Sequence, residues 1–163
     1  MTDERVGDGL MRAIARLPKG SGIIFRHYSL APAARRELFV QVKRAARARR
    51  MTLILAGDDL WRADGSHRRA PKRNRTIQTA PVHSVRERIA AERGGADLLF
   101  VSPIYPTQSH PGGKAIGRIG IGRVINGART PIIALGGMTK QRARSLGRSI
   151  YGWAAISALT PKA

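Results

Sequence analysis

"GADLLFVSPIYPTQSHPG", residues 95–112, decides the reading of the fold. Its centre, "ADLLFVSPI" (96–104), is short and apolar without alternation, and it lies between a glycine pair and a proline. That is the pattern of a strand buried on both faces. Immediately afterwards come Ser102, Tyr105, Thr107, Gln108, Ser109 and His110, so hydrogen-bonding groups gather where a strand runs out. "TPIIALGG" (130–137) is a second strand of the same kind, closed by two glycines.

Outward from these two, helical and strand patterns alternate. Leu10, Met11, Ile14 and Leu17 predict an amphipathic helix stopped by Pro18 and Gly20, followed by a strand in "GIIFRHY" (22–28). A second helix carries Leu38, Val42, Ala45 and Ala46 on one face and leads into "MTLILAGD" (51–58). The polar stretch 59–75 holds one short strand around "DGSH". "TIQTAPVHS" (76–84) is a weak strand because Pro81 lacks a donor. Ser84 and Glu87 form a capping box, with Val85 and Ile89 as the inward stripe of the helix and Gly94 and Gly95 as its stop. The glycine-rich stretch 115–128 holds one short helix, and Thr139 caps another that runs through Leu146. "IYGWAAISAL" (150–159) reads as a last strand entering a short terminal helix.

Strands buried on both faces alternating with amphipathic helices indicate an α/β protein with a parallel sheet. Seven strands can be counted from Gly22, and both a doubly wound sheet and a (β/α)8 barrel fit that count. In either fold ligands sit at the carboxyl ends of the strands. The polar residues found there are Arg26, His27 and Tyr28; Asp58 and Asp59; Ser66 and His67; His83; Ser102 through His110; Gly136 and Gly137; and Ser157.

Composition bounds the alternatives. With 163 residues, 42% of them hydrophobic, the chain suits a single domain over 1–163. No apolar run reaches the ~18–20 residues of a membrane span and the first residues are polar, so the expectation is a cytoplasmic protein without membrane association. The absence of cysteine excludes disulfides, thiolate metal sites and a cysteine nucleophile. A formal charge of +20 attracts phosphorylated metabolites, nucleic acid and anionic surfaces alike. Its arginines concentrate at 35–50 and 62–75. The first group has helical spacing and reads as the solvated face of a helix. Aromatics make up only 5%, so basic residues are not interleaved with stacking platforms, and small phosphorylated substrates are favoured over nucleic acid.

The order "FRHY", "AGD", "DGSH", "VHS", "GADLLFVSPIYPTQSHPG", "TPIIALGGM" and "GWAAISAL" resembles, over nearly the whole chain, the thiamine-phosphate synthase and TenI family. The resemblance implies a (β/α)8 TIM barrel. "MTDER" looks like the end of that family's first strand, which implies a truncated first strand here. It also implies a transferase of thiamine biosynthesis that joins hydroxymethylpyrimidine diphosphate to thiazole phosphate with release of pyrophosphate. Such chemistry asks the protein for cations, Mg²⁺ and positioning.

Carried over residue by residue, the family's pattern makes Thr107, Ser109 and His110 the anion-binding segment after the sixth barrel strand, with histidine in place of the family's lysine. Gly136, Gly137, Ile156 and Ser157 match the thiazole-phosphate turns, Arg26 matches the diphosphate arginine, and Asp58 matches a Mg²⁺ ligand. Four positions depart from the pattern: Ile24 and Tyr28 flank the arginine, Lys72 stands at the second acidic Mg²⁺ position, and Pro81 replaces a serine. His83 motivates a rival within the family, TenI-type thiazole tautomerisation, because proton transfer needs a group titrating near working pH. A catalytically degenerate paralogue is a further alternative. A rival of another class is a non-enzymatic basic protein binding nucleic acid or other anions. His27, His67, His83 and His110 lack the i, i+4 spacing of a helix-borne zinc site.

Overall fold

The computed structural model describes residues 1–57, 61–70, 75–107, 112 and 114–156. Seven strands, β1 (Gly22–Phe25), β2 (Thr52–Ala56), β3 (Gly65–His67), β4 (Ile77–Val82), β5 (Leu98–Val101), β6 (Ile132–Ala134) and β7 (Gly152–Trp153), pair in sequence order. Every pairing is parallel. Among the described residues five α-helices run between or before them: α1 (Leu10–Arg16), α2 (Pro32–Ala48), α3 (Val85–Arg93), α4 (Gly117–Ile125) and α5 (Lys140–Leu146).

The sheet curls until its two outer strands approach the same dipeptide. The Thr2 N–H donates to the Ile24 carbonyl on β1 at 2.8 Å, and the Met1 amine donates to the Ala155 carbonyl just beyond β7 at 3.0 Å. Met1 and Thr2 therefore stand where an eighth strand would close the ring. The architecture is that of a (β/α)8-type barrel, with seven strands among the described residues and Met1–Thr2 bridging the two outer ones.

Register sorts side chains into three apolar groups. Ile24, Ile54, Ala56 and Phe100 are buried inside the curl, with Ile77, Leu98, Ile133 and Ala154 packed on them. Two further clusters lie between strands and helices: one around Phe25, Phe39, Val42 and Leu53 under α1 and α2, the other around Val82, Leu99, Val101 and Ile121 under α3 and α4. Residue 65 must be glycine for this packing. A Cβ there would lie 2.1 Å from the Ile77 carbonyl oxygen and 2.7 Å from Ile54 Cδ1, inside van der Waals contact with a backbone atom that cannot swing away.

All seven expected strands form, each shorter than its apolar run: "GIIFRHY" is strand only through Phe25, and "ADLLFVSPI" only from Leu98 to Val101. The terminal helix expected after β7 lies outside the described residues. One helix face differs from expectation. In α3 the buried residues are Arg88 and Ala91, while Val85 and Ile89 are exposed. The cap forms as expected, with Ser84 Oγ accepting from the Glu87 N–H. Arg88 then turns inward because Glu92 neutralises it at 2.7 Å and the Gly127 carbonyl accepts from it at 3.3 Å. The inward face of α3 is thus turned by an i, i+4 ion pair instead of by Val85 and Ile89. The inward face of α2 shifts similarly, to Arg35, Phe39, Val42 and Ala46.

Candidate active site

Parallel β/α architecture gathers the carboxyl ends of the strands on one rim. At β1 the rim is anchored by Thr2. Thr2 Oγ1 accepts from the Arg26 N–H at 2.9 Å and bonds His27 Nδ1 at 3.0 Å. Below, Arg35 on α2 is buried against the rings of Phe25, Tyr28 and Trp61, with the guanidinium carbon 4.9–5.6 Å from their centroids. It donates to the Arg26 carbonyl at 2.9 and 3.0 Å and to the Ala56 carbonyl at 3.0 Å. One helix arginine thus ties together the ends of β1 and β2. The Arg26 guanidinium lies 5.7 Å from the Tyr28 ring.

His67 pairs in register with Ala56 and Thr79 and meets the Phe100 ring edge-on at 5.2 Å, so its ring occupies the barrel interior. Thr79 Oγ1 donates its one proton to the Ser66 carbonyl at 3.1 Å, which leaves it an acceptor toward His67 Nδ1 at 2.8 Å. The imidazole is therefore the Nδ1–H tautomer, with the lone pair on Nε2. Burial pushes the ring down to about 4, and the charges of Arg26 and the Met1 amine act in the same direction. His67 is a neutral group at neutral pH.

Across the barrel, the loops after β5 and β6 are joined. The Ile104 N–H donates to Leu135 O at 2.9 Å and the Tyr105 N–H to Gly136 O at 3.0 Å. Gly136 and Gly137 both have positive φ, 89° and 60°. A Cβ on Gly136 would lie 2.7 Å from Pro103 Cα, and one on Gly137 would lie 2.5 Å from Pro106 O. Glycine is required at both because backbone approaches backbone and the left-handed conformation is used. Arg142, in the first turn of α5, lies 4.4 Å over the Tyr105 ring and donates to the Gly137 carbonyl. Thr139 Oγ1 caps that helix by accepting from the Arg142 N–H at 3.2 Å.

The structure thus brings Thr107, Gly136 and Gly137 into one pair of loops and holds Arg26 on the β1 side of the same rim. His83 follows β4 and is exposed. Its Nδ1 lies 2.9 Å from Glu87 Oε2, which also accepts the His83 backbone N–H at 2.8 Å. Ile156 is half-buried and lines a cleft beside Met1 and β7. Asp58, Lys72, Ser109, His110 and Ser157 lie outside the described residues. Among the described residues no group of three or more acidic or histidine side chains could hold a metal ion. Of the described carboxylates, Glu87 follows β4 and accepts from the His83 N–H, while Asp64 and Asp97 precede β3 and β5 at the opposite, amino-terminal end and accept from the Leu53 and Gln78 N–H groups.

The family profile TMP-TENI, described as thiamine monophosphate synthase, matches residues 2–159. The chain belongs to that family. It is similar to the thiamine-phosphate synthase of Pyrococcus furiosus, 35% identical over 81 residues, which are 49% of this chain and 39% of that protein. A thiamine-phosphate synthase of Chlorobium luteolum is 41% identical over 83 residues, 50% of this chain and 39% of that protein. The matched stretch spans about two fifths of these curated relatives. Among solved structures, a thiamine phosphate pyrophosphorylase from Pyrococcus furiosus superposes with a TM-score of 0.73 at 23% identity, covering 96% of this chain and 83% of that one. The barrel fold is therefore shared with the family along nearly the whole chain.

Within this thiamine monophosphate synthase family member, sequence reading missed Thr2, Arg35 and Arg142 as parts of the rim. Arg35 sits in an arginine-rich helix whose pattern suggests a solvated face, and nothing local marks it as the buried one. The signal available was Trp61, Tyr28 and Phe25, aromatic rings near strand ends that can accept a cation.

Proposed function

We propose that the chain is a thiamine-phosphate synthase, coupling hydroxymethylpyrimidine diphosphate to thiazole phosphate with loss of pyrophosphate. The observation that carries this reading is the bonded pair of loops after β5 and β6, in which Tyr105 and Pro106, the residues just before Thr107, lie against the Gly136–Gly137 turn. Backbone that can come this close to a neighbouring loop also admits the close approach of a phosphate oxygen. The family match and the curated relatives support the same assignment.

In this reading the thiazole phosphate rests on the Gly136–Gly137 turn with Ile156 and Ser157, and the diphosphate faces Arg26 with Thr107, Ser109 and His110. Positive charge at the rim favours departure of an anion over its retention on carbon, and the hydroxyls fix its direction. The neutral His67 adds no charge behind it. Pyrophosphate leaves with the electrons of its C–O bond, and the lone pair of the thiazole ring nitrogen then captures the pyrimidinylmethyl carbon to form the new C–N bond. Mg²⁺, when bound, supplies charge neutralisation on that leaving group. Asp58, following Gly57 at the end of β2, is the residue assigned to hold it with substrate oxygens, since Mg²⁺ accepts one or two carboxylates plus phosphate. The substrates are small phosphorylated molecules, and the setting is cytoplasmic; no helix among the described residues is long and apolar enough to cross a membrane.

The test is mass-spectrometric detection of thiamine phosphate from purified protein, both substrates and Mg²⁺. Product formation that is lost in Asp58→Ala supports the assignment. Absence of product while thiazole phosphate still stabilises the protein would remove the synthase reaction.

A further inference from the structure

A glycine pair leaves its peptide planes free to rotate, so a working turn needs something to fix them. Two donors from different directions hold the Gly136–Gly137 turn. The Gly136 carbonyl accepts from the Tyr105 N–H at 3.0 Å, and the Gly137 carbonyl accepts from the Arg142 guanidinium. A trans peptide is planar, with its N–H opposite its C=O. Anchoring these two carbonyls therefore also sets the directions of the Gly137 and Met138 N–H groups, each facing away from the donor that holds its plane. Neither N–H has a partner among the described residues. Two successive backbone donors on a fixed turn suit an anion.

Arg142 is exposed, yet its guanidinium is held in place. It lies 4.4 Å over the Tyr105 ring, and that ring packs on the apolar cluster containing Ile104 and Met138. Face-on contact with an aromatic ring leaves the in-plane N–H groups of a guanidinium available to acceptors. No carboxylate pairs with Arg142 among the described residues, so its charge is not cancelled. A cation that donates to a carbonyl polarises the peptide group and strengthens the N–H at its other end.

We propose that Arg142 is a positioning residue for the thiazole phosphate, acting through the Gly137–Met138 peptide to aim and polarise the Met138 N–H toward the phosphate. The inference rests on the reading that this phosphate occupies the Gly136–Gly137 turn. Tyr105 is the other half of the device. Its N–H fixes the Gly136 carbonyl and its ring seats the guanidinium, so the loop after β5 sets both peptide planes of the loop after β6.

The experiment follows the Gly137 and Met138 amides by NMR in the parent, Arg142→Lys, Arg142→Gln and Arg142→Ala while inorganic phosphate or thiazole phosphate is titrated. Calorimetry and turnover are run beside it. In the parent both ligands should shift the two amides saturably. Arg142→Ala should weaken thiazole phosphate by about tenfold or more and raise its KM, with the KM for the pyrimidine diphosphate within about twofold. Arg142→Lys keeps the charge and Arg142→Gln keeps a neutral donor, and each should recover part of the affinity. General loosening of the two loops would raise both KM values, because Thr107 follows Tyr105 in the loop assigned to the diphosphate. A parallel rise in both, or unchanged thiazole phosphate affinity in Arg142→Ala, overturns the proposal. Failure of the parent to bind thiazole phosphate refutes the synthase reading instead. Inorganic phosphate then decides the role of Arg142: amide shifts that vanish in Arg142→Ala support it, and shifts that persist there, or are absent from the parent, overturn it.

Discussion

Two buried basic groups make the stability of this barrel depend on pH in separable windows. His67 is held down to about 4 from 6.5, and the Met1 amine to about 6 from 8.0, in each case chiefly by burial. For a group whose folded value is depressed, the unfolded chain binds the proton first as pH falls, so stability is lost over the interval between the two values. Each unit corresponds to 1.36 kcal/mol. The amine therefore costs about 3 kcal/mol as pH drops from about 8 to about 6, and His67 about 3 kcal/mol more between about 6.5 and about 4. His27 is also lowered by burial and contributes in the acidic window. Urea unfolding at half-unit steps from pH 4.5 to 8.5 reads the effect as a falling midpoint.

The two parts can be removed one at a time. His67→Gln retains a donor toward Thr79 Oγ1 but has no proton to gain, so its stability should fall much less steeply than that of the parent below pH 6.5, with the slope above pH 7 unchanged. Acetylating the Met1 nitrogen should flatten the upper window and leave the lower one. If His67→Gln titrates in parallel with the parent from pH 6.5 to 4.5, the imidazole is not the buried neutral group described. The tautomer assignment, resting on Thr79 donating to Ser66, then falls with it.

Three further substitutions test packing and site. Gly65→Ala places a methyl against the Ile77 carbonyl and should destabilise by about 3 kcal/mol or more, with lost β3–β4 amide protection, as measured by urea unfolding and hydrogen exchange. Gly136→Ala combines a φ of 89° with a Pro103 contact at 2.7 Å and should cost about 3 kcal/mol. It should also weaken thiazole-phosphate binding, read by calorimetry, more than Gly147→Ala, which also has positive φ but meets nothing within 4 Å. His83→Ala should leave thiamine phosphate formation within about threefold, because His83 is exposed and engaged by Glu87; a loss beyond a hundredfold would return it to the reaction.

Much of this barrel is written locally. "LLFV" and "IIA" are strands because no amphipathic alternative suits a short run apolar on both faces. The Ser84 and Thr139 caps form as three-residue spacings require. Helix faces are less legible where arginine is involved. Arg88 and Arg35 are buried by partners from Glu92 and Gly127 in one case and from Phe25, Trp61, Arg26 and Ala56 in the other. Hydropathy scores both arginines as outward, since it counts the charge and not the carboxylate, carbonyls or rings that will meet it.

The rim shows the same division. Glycines 136 and 137 announce a close turn, but their tight contacts are with Pro103 and Pro106, some thirty residues earlier. That convergence follows from parallel topology: consecutive strands lie side by side, so the loops after β5 and β6 become neighbours whatever separates them in sequence. Thr2 is the extreme case. It lies 24 residues from the Arg26 N–H it accepts and 25 from His27, yet it holds the β1 end of the rim in place. The same short segment that bridges β1 and the end of β7 is therefore also a support of the rim.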